Sequence, residues 1–165
     1  MWIFWYAMPM DTPLTHIWRP QAHVRALALG LPFRDGRLLV SAVTRDDGTE
    51  IGWRPLGGGI DFGEPAETAV RRELEEEIQA EVAVRRLLGV FENIYSHQGQ
   101  TGHEVVFAFE VTLIRPGRAV AEDFIVEDGG FRDRAAWVPI TDFTEGRKTL
   151  LPEALLPLVP PDWAT

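Results

Sequence analysis

The chain has 165 residues, of which 45% are hydrophobic and 10% aromatic, so its length and composition predict one ordinary globular domain and exclude a disordered chain. It contains no cysteine, which excludes a disulfide framework and a thiolate metal site and is compatible with the reducing cytoplasm, where we expect it. The net charge of −9 argues against a nucleic-acid polymer as partner, because phosphate-backbone binding relies on basic surface.

Residues 1–22 are predicted to form an irregular N-terminal arm, and residues 23–165 the domain. The first ten residues, MWIFWYAMPM, are apolar, but Pro9 interrupts them after about eight residues, too few to span a bilayer. They also lack the basic region and the cleavage site of a signal peptide. We therefore expect no membrane association, and an arm that packs on the domain or is partly disordered.

Three strands and a helix are predicted in the first half of the domain. Apolar runs at 23–32 and 37–44 are joined by Arg34-Asp35-Gly36, a hairpin signal. A second turn at 46–48 leads to a strand over 51–56, and residues 57–63 are predicted to form a glycine-rich loop. A helix is then predicted over 65–78, with its apolar side formed by Ala66, Ala69, Val70, Leu74 and Ile78.

The second half contains three further strands in this prediction. Apolar runs at 82–95 and 104–114 are separated by a polar loop over 96–102, and an acidic loop over 117–130 precedes a short strand at 135–140. Thr141 and Asp142 offer caps for a last helical stretch, interrupted at Pro152 and ended by the prolines at 160 and 161. Strands with an interspersed helix predict an α/β or α+β domain.

Three carboxylates project from one side of the predicted helix. Glu73, Glu76 and Glu77 stand at i, i+3 and i+4, so their side chains lie on the same face. Like charges at that spacing repel and stabilise a helix poorly. A bound hard cation such as Mg²⁺, which prefers oxygen ligands, would turn this liability into a site.

The stretch from 58 to 80 resembles the Nudix box: Gly, five residues, Glu, seven residues, Arg-Glu-aliphatic, one residue, Glu-Glu, one residue, Gly-aliphatic. Seven positions fit this pattern: Gly58, Glu64, Arg72, Glu73, Leu74, Glu76 and Glu77. Gln79 stands in place of the last glycine and Ala80 in place of a bulkier aliphatic residue. Seven matches would arise by chance roughly once in 10⁸ start positions. Residues 53–59, 91–93, 102–104 and 137–139 also resemble family segments, so the resemblance covers most of the chain.

The chain is therefore identified as a member of the Nudix hydrolase family, which implies a Nudix-type α/β/α sandwich with a mixed β-sheet. The resemblance implies a Mg²⁺- or Mn²⁺-dependent hydrolase of a phosphoanhydride bond in a nucleoside diphosphate linked to another moiety. ADP-ribose, nucleoside di- or triphosphates, dinucleoside polyphosphates and nucleotide sugars all fit as small-molecule substrates, and a homodimer is possible. The alternatives are a non-catalytic Nudix-fold domain that senses a nucleotide, which would be expected to lose box carboxylates, and an isomerase with the same metal site.

The resemblance also implies roles for particular residues. The expected metal ligands are the carbonyl group of Gly57 and the side chains of Glu73, Glu76, Glu77 and, from outside the box, Glu104. Glu73 is either a ligand or the general base, and the sequence leaves this open.

Arg72 belongs to the catalytic set, and its rigid fork suits the holding of Glu73 or Glu64 in one orientation. Arg54 and Arg25 are candidate phosphate contacts, and Phe62 and Tyr95 are candidates for stacking on a base. Gln79 is expected to alter the backbone at the helix end more than the chemistry, because a residue with a Cβ in the αL conformation costs on the order of 1 kcal/mol.

Overall fold

A computed structural model describes residues 18–128 and 131–164 of the chain, so residues 1–17 of the predicted arm lie outside the described residues. The elements in chain order are β1 (Val24–Arg34), β2 (Arg37–Thr44), β3 (Glu50–Gly59), α1 (Ala66–Ile78), β4 (Glu81–His97), β5 (Gln100–Arg115), β6 (Asp123–Asp128), β7 (Phe131–Pro139) and α2 (Ile140–Thr144). Three short 3₁₀ helices span Gly117–Val120, Glu153–Leu158 and Pro161–Ala164. In the described part of the chain, no helix is long and apolar enough to cross a membrane.

The strands form one mixed seven-stranded sheet in the order β4-β5-β1-β3-β2-β7-β6. β1 and β5 run parallel, from the pair Val24–His103 to the pair Pro32–Val111, and the other neighbours run antiparallel. β1 and β3 pair over only four residues, Leu27–Gly30 of β1. The two halves of the sheet therefore meet at a short seam, beside which the site described below lies.

Each face of the sheet has its own hydrophobic core, because successive side chains of a strand point to opposite faces. Ala28 belongs to the core under α1, whereas its neighbour Leu29 belongs to the core on the other face. The α1 side contributes Val70 and Leu74, and the opposite core includes residues of α2 and of the last two 3₁₀ helices, among them Phe143, Leu155 and Trp163. The predicted α/β/α sandwich with a mixed sheet is confirmed.

Most predicted elements are confirmed, but two predicted loops are wrong. β3 extends through Gly59, because the glycines at 57–59 continue the ladder with β1. The polar loop predicted over 96–102 shrinks to a two-residue turn at Gln98-Gly99, where φ is 50° and 80°. The flanking polar residues belong to β4 and β5, since strands at the rim of a sheet tolerate solvent-exposed polar side chains.

The prediction is also wrong for the segment 117–130 and for part of the C-terminus. The acidic segment contains a 3₁₀ helix and β6, whose acidic residues face arginines of β7, as in the pair Asp123–Arg134. α2 begins at Ile140 after Pro139, without a side-chain cap from Thr141 or Asp142. The last 3₁₀ helix begins at Pro161, where the helical stretch was predicted to end, because proline is compatible with a first turn.

The C-terminal end of α1 turns through the left-handed conformation at Gln79, with φ 57° and ψ 30°. Its N–H donates to the Glu75 carbonyl at 2.9 Å, and the Ala80 N–H donates to the Leu74 carbonyl at 3.3 Å. Gly117 packs against this turn so closely that a Cβ there would lie 2.2 Å from the Ile78 carbonyl oxygen. The αL turn implied by the family's glycine is therefore present, with glutamine in its place.

Candidate active site

Two glycines at the end of β3 lie next to two carboxylates of α1. Gly57 has φ +127°, and a Cβ there would lie 2.2 Å from the Ala28 carbonyl oxygen. Its N–H donates to Oε2 of Glu77 at 2.9 Å. A Cβ on Gly58 would lie 2.6 Å from Oε2 of Glu73. The absence of a side chain at Gly58 thus lets Glu73 approach the strand, whereas at Gly57 it lets the backbones of β1 and β3 come close together. Glu73 and Glu77 are each only 8% exposed.

Arg72 connects α1 to the residues before it through hydrogen bonds. Its guanidinium donates to both carboxylate oxygens of Glu64, at 3.0 and 2.9 Å, and to the Gly59 carbonyl at 2.9 Å. It also donates to Glu73 at 2.9 Å and to Glu76 at 3.2 Å. The sequence assigns Arg72 to holding Glu73 or Glu64, and it contacts both.

These contacts change the proton affinity of two groups. The hydrogen bond from Arg72, together with the Asp61 N–H, lowers the pKa of Glu64 below its ordinary value. The hydrogen bonds to Glu64 and Glu73 raise the pKa of Arg72. Both groups therefore stay charged at neutral pH, and the Arg72 guanidinium remains a cation among the carboxylates that it contacts.

Glu104 enters from β5 and is 6% exposed. It pairs in register with Arg25 of β1 on one side and Asn93 of β4 on the other. The Asn93 amide donates to its carboxylate at 3.0 Å, and the Tyr95 hydroxyl donates at 3.1 Å. Burial, followed by the negative charge of Glu104, raises the pKa of Tyr95, whereas the charges of Arg54 and Arg25 act in the opposite direction.

A cleft of about 1270 Å³ opens beside the seam of the sheet. It is lined by six of the residues that the sequence predicts for the site: Arg25, Arg54, Gly57, Glu77, Tyr95 and Glu104. Glu73 and Glu76 are not among its lining residues, and the Glu76 side chain is exposed. Phe62 is fully exposed and does not line the cleft either. The structure therefore brings together part of the predicted set.

The donor set fits a hard divalent cation in its chemistry. Glu77, Glu104 and Gly57 line one cleft, and all of them offer oxygen atoms, the ligand type that Mg²⁺ and Mn²⁺ prefer. In the described residues, however, no three acidic or histidine side chains converge closely enough to hold an ion. Arg72 holds Glu73 and Glu76, and the Gly57 N–H binds Glu77. Cation binding would therefore require these carboxylates to come closer together than they do in this structure.

Sequence reasoning missed several residues of the cleft. Asn93 could have been found, because it stands two residues before Tyr95 and so shares its face of the strand. Arg132 and Asp133 line the cleft from β7, at positions that carried no motif. Glu92, the residue before Asn93, instead contacts His103 at the surface, at 2.7 Å.

His97, at the end of β4, is a further cleft residue without a sequence signal. It is buried, and the ring of Trp18 meets it edge-on at a centroid distance of 5.2 Å. Burial and, second, the charge of Arg19 lower the pKa of His97. Arg19 itself pairs with Asp46, and both residues line the cleft.

Comparisons with known proteins agree with this architecture. The sequence profile of the NUDIX domain matches residues 23–159. A NUDIX hydrolase from Nitrosomonas europaea is similar in structure, with a TM-score of 0.57 and 21% identity over 86% of each chain. An ADP-ribose pyrophosphatase from Streptococcus suis 89-1591 has a TM-score of 0.54 and 14% identity over 81% of this chain and 87% of its own. A MutT protein from Methanosarcina mazei Go1 has a TM-score of 0.58 and 16% identity over 82% of this chain and 89% of its own.

No curated protein matches the sequence significantly. At these identities the structural neighbours establish the fold, and the profile match, which spans most of the chain, establishes the family. The chain therefore belongs to the Nudix family, and its identification as a Nudix hydrolase, an enzyme of acid anhydrides in phosphorus-containing compounds, is confirmed.

Proposed function

We propose that this chain is a Mg²⁺- or Mn²⁺-dependent pyrophosphohydrolase of a nucleoside diphosphate linked to another moiety. One observation carries the proposal: buried carboxylates and arginines line the same cleft. Glu77 and Glu104 supply the oxygen donors for a cation, and Arg25 and Arg54 supply positive charge for phosphate groups. A polyphosphate ligand needs both, because its charge must be compensated in a chain that is itself strongly acidic.

Different residues of the chain would bind the cation, orient a carboxylate and accept a proton. A bound divalent cation compensates the charge of the phosphoryl oxygens and lowers the pKa of a bound water. Gly57, Glu73, Glu76, Glu77 and Glu104 are the residues that we propose to hold it, and Arg72 fixes the orientation of Glu73. A carboxylate would accept the proton of the attacking water. Glu73 is a candidate for this role and also a candidate metal ligand.

Substrates with two parts fit this cleft well. Its volume of about 1270 Å³ exceeds the ≈ 300–1,000 Å³ typical of small-ligand sites. The Streptococcus suis neighbour is named an ADP-ribose pyrophosphatase, and ADP-ribose is a molecule of this two-part kind. Nucleotide sugars and dinucleoside polyphosphates also consist of two parts. We propose the cytoplasm as the compartment, since the chain has no cysteine, and a homodimer stays a prediction.

A substrate panel tests the proposal. The protein would be incubated with Mg²⁺ and ADP-ribose, a nucleotide sugar, a dinucleoside polyphosphate or a nucleoside triphosphate, and the products separated by chromatography. We expect two phosphate-terminated products from at least one of the linked diphosphates. Binding of these nucleotides without cleavage would favour the sensing domain. Rearrangement without hydrolysis would favour the isomerase.

A further inference from the structure

We infer that Tyr95 and Asn93 are positioning residues, which fix the Glu104 carboxylate for cation binding. The inference rests on the proposed function in one respect, the cation that Glu104 would bind. Both side chains come from β4 and reach the same carboxylate of β5, at 3.1 and 3.0 Å. They stand two residues apart on their strand, so the alternation of the strand delivers both to one face. The base stacking proposed for the Tyr95 ring stays a prediction.

Gly102 determines where the Tyr95 hydroxyl can lie. The two residues are cross-strand partners, and a Cβ on Gly102 would lie 2.3 Å from Cζ, 2.5 Å from Cε1 and 2.7 Å from the hydroxyl oxygen of Tyr95. The ring is therefore seated on the Gly102 backbone, in space that any other residue would fill. A ring seated in this way carries its hydroxyl to Glu104 two residues further along β5.

The two donors hold the carboxylate without neutralising it. A buried carboxylate needs hydrogen-bond donors, and neutral donors satisfy individual lone pairs while the charge stays. An ionised carboxylate offers about four acceptor positions, of which Asn93 and Tyr95 occupy one each. Glu104 thus keeps further acceptor positions while its orientation is fixed, as a ligand of a hard cation requires.

The test is Mn²⁺ binding, measured from the electron paramagnetic resonance signal of the free ion, with no substrate present. Tyr95→Phe removes the hydroxyl and keeps the ring. Gly102→Ala keeps the hydroxyl and displaces the ring that carries it. Thr112→Val is the matched control, because the hydroxyl of Thr112 accepts a hydrogen bond from Arg85 at 2.8 Å and so also joins β4 to β5, at an exposed position outside the cleft lining.

We expect Tyr95→Phe to raise the Kd for Mn²⁺ roughly tenfold, the usual size of effect when the partner of a metal ligand is lost. Gly102→Ala is expected to act in the same direction, and Thr112→Val to bind as the wild type does. The urea midpoint of metal-free Tyr95→Phe should fall below that of Thr112→Val, because Tyr95→Phe removes a donor from a buried carboxylate whereas the Thr112 hydrogen bond is exposed.

An unchanged Kd in Tyr95→Phe, with normal Mn²⁺ binding by the wild type, would overturn the inference and leave the proposed function intact. An equal loss of affinity in Thr112→Val would also overturn it, since any β4–β5 hydrogen bond would then matter. If the wild type neither binds Mn²⁺ nor cleaves a phosphoanhydride, the proposed function itself has failed. Should Gly102→Ala not fold, Asn93→Ala provides the second variant and is expected to weaken Mn²⁺ binding as well.

Discussion

Gln79→Gly should stabilise the protein, because the residue occupies the left-handed conformation that glycine adopts without cost. Its φ and ψ are 57° and 30°. An L-residue with a Cβ loses roughly 1–2 kcal/mol there. Glycine in turn enlarges the unfolded ensemble, which takes back about 0.4–1 kcal/mol. The balance is a gain in the free energy of unfolding of between zero and about 1.6 kcal/mol, measured by urea denaturation. Activity should change little, since the Gln79 side chain is exposed and does not line the cleft.

Gln100→Gly is the matched control, the same chemical change at an exposed position that begins β5. Since no left-handed strain exists there to relieve, we expect a loss of about 0.5–1 kcal/mol. The two variants should therefore shift the urea midpoint in opposite directions. If Gln79→Gly loses as much stability as Gln100→Gly, strain at the end of α1 is not the relevant quantity and the reasoning is refuted.

Three further predictions concern the cleft and its rim. Gly58→Ala should leave the fold intact but lower kcat roughly 100-fold, because its Cβ would lie 2.6 Å from the Glu73 carboxylate and displace it; wild-type turnover would contradict this. Millimolar Mg²⁺ should raise the melting temperature, since the proposed ligands Glu77 and Glu104 line one cleft only in the folded chain; an unresponsive melting curve, with and without nucleotide, would count against the site. Burial lowers the pKa of His97, so the stability of the folded protein should be full above about pH 6.5 and should decline as the pH falls below that value. In thermal melts between about pH 8 and 5, the melting temperature of His97→Asn should decline less than that of the wild type, and an equal decline would refute the assignment.

The helix and the contacts of Arg72 were predictable because one short stretch of sequence carries them. The spacing of Glu73, Glu76 and Glu77 depends only on helical geometry, and the apolar side of α1 faces the core as predicted. The fork of Arg72 likewise needs only neighbours close in the chain, Glu64 and Glu73. Local periodicity is enough for such features.

The part of the site outside the helix depends on strand register, which the sequence left undetermined. The polar residues between 96 and 102 show no hydrophobic alternation, so nothing revealed that the turn is only Gln98-Gly99. That turn length pairs Tyr95 with Gly102 and Asn93 with Glu104. A slip of one residue would send these side chains to the other face. Phe62 is an example of a different kind. Its full exposure depends on the tertiary structure, which aromatic character alone does not predict.

Turnover of box variants at saturating Mg²⁺ tests the central claim most directly. Glu76→Gln and Glu77→Gln each remove one charge from α1, and the amide oxygen introduced by Glu77→Gln would still accept the hydrogen bond from the Gly57 N–H. Glu75→Gln removes the same charge from an exposed position of the same helix outside the box pattern. We predict that the first two variants lower kcat at least about 100-fold while Glu75→Gln stays near the wild type. Retained activity in both Glu76→Gln and Glu77→Gln would contradict the account.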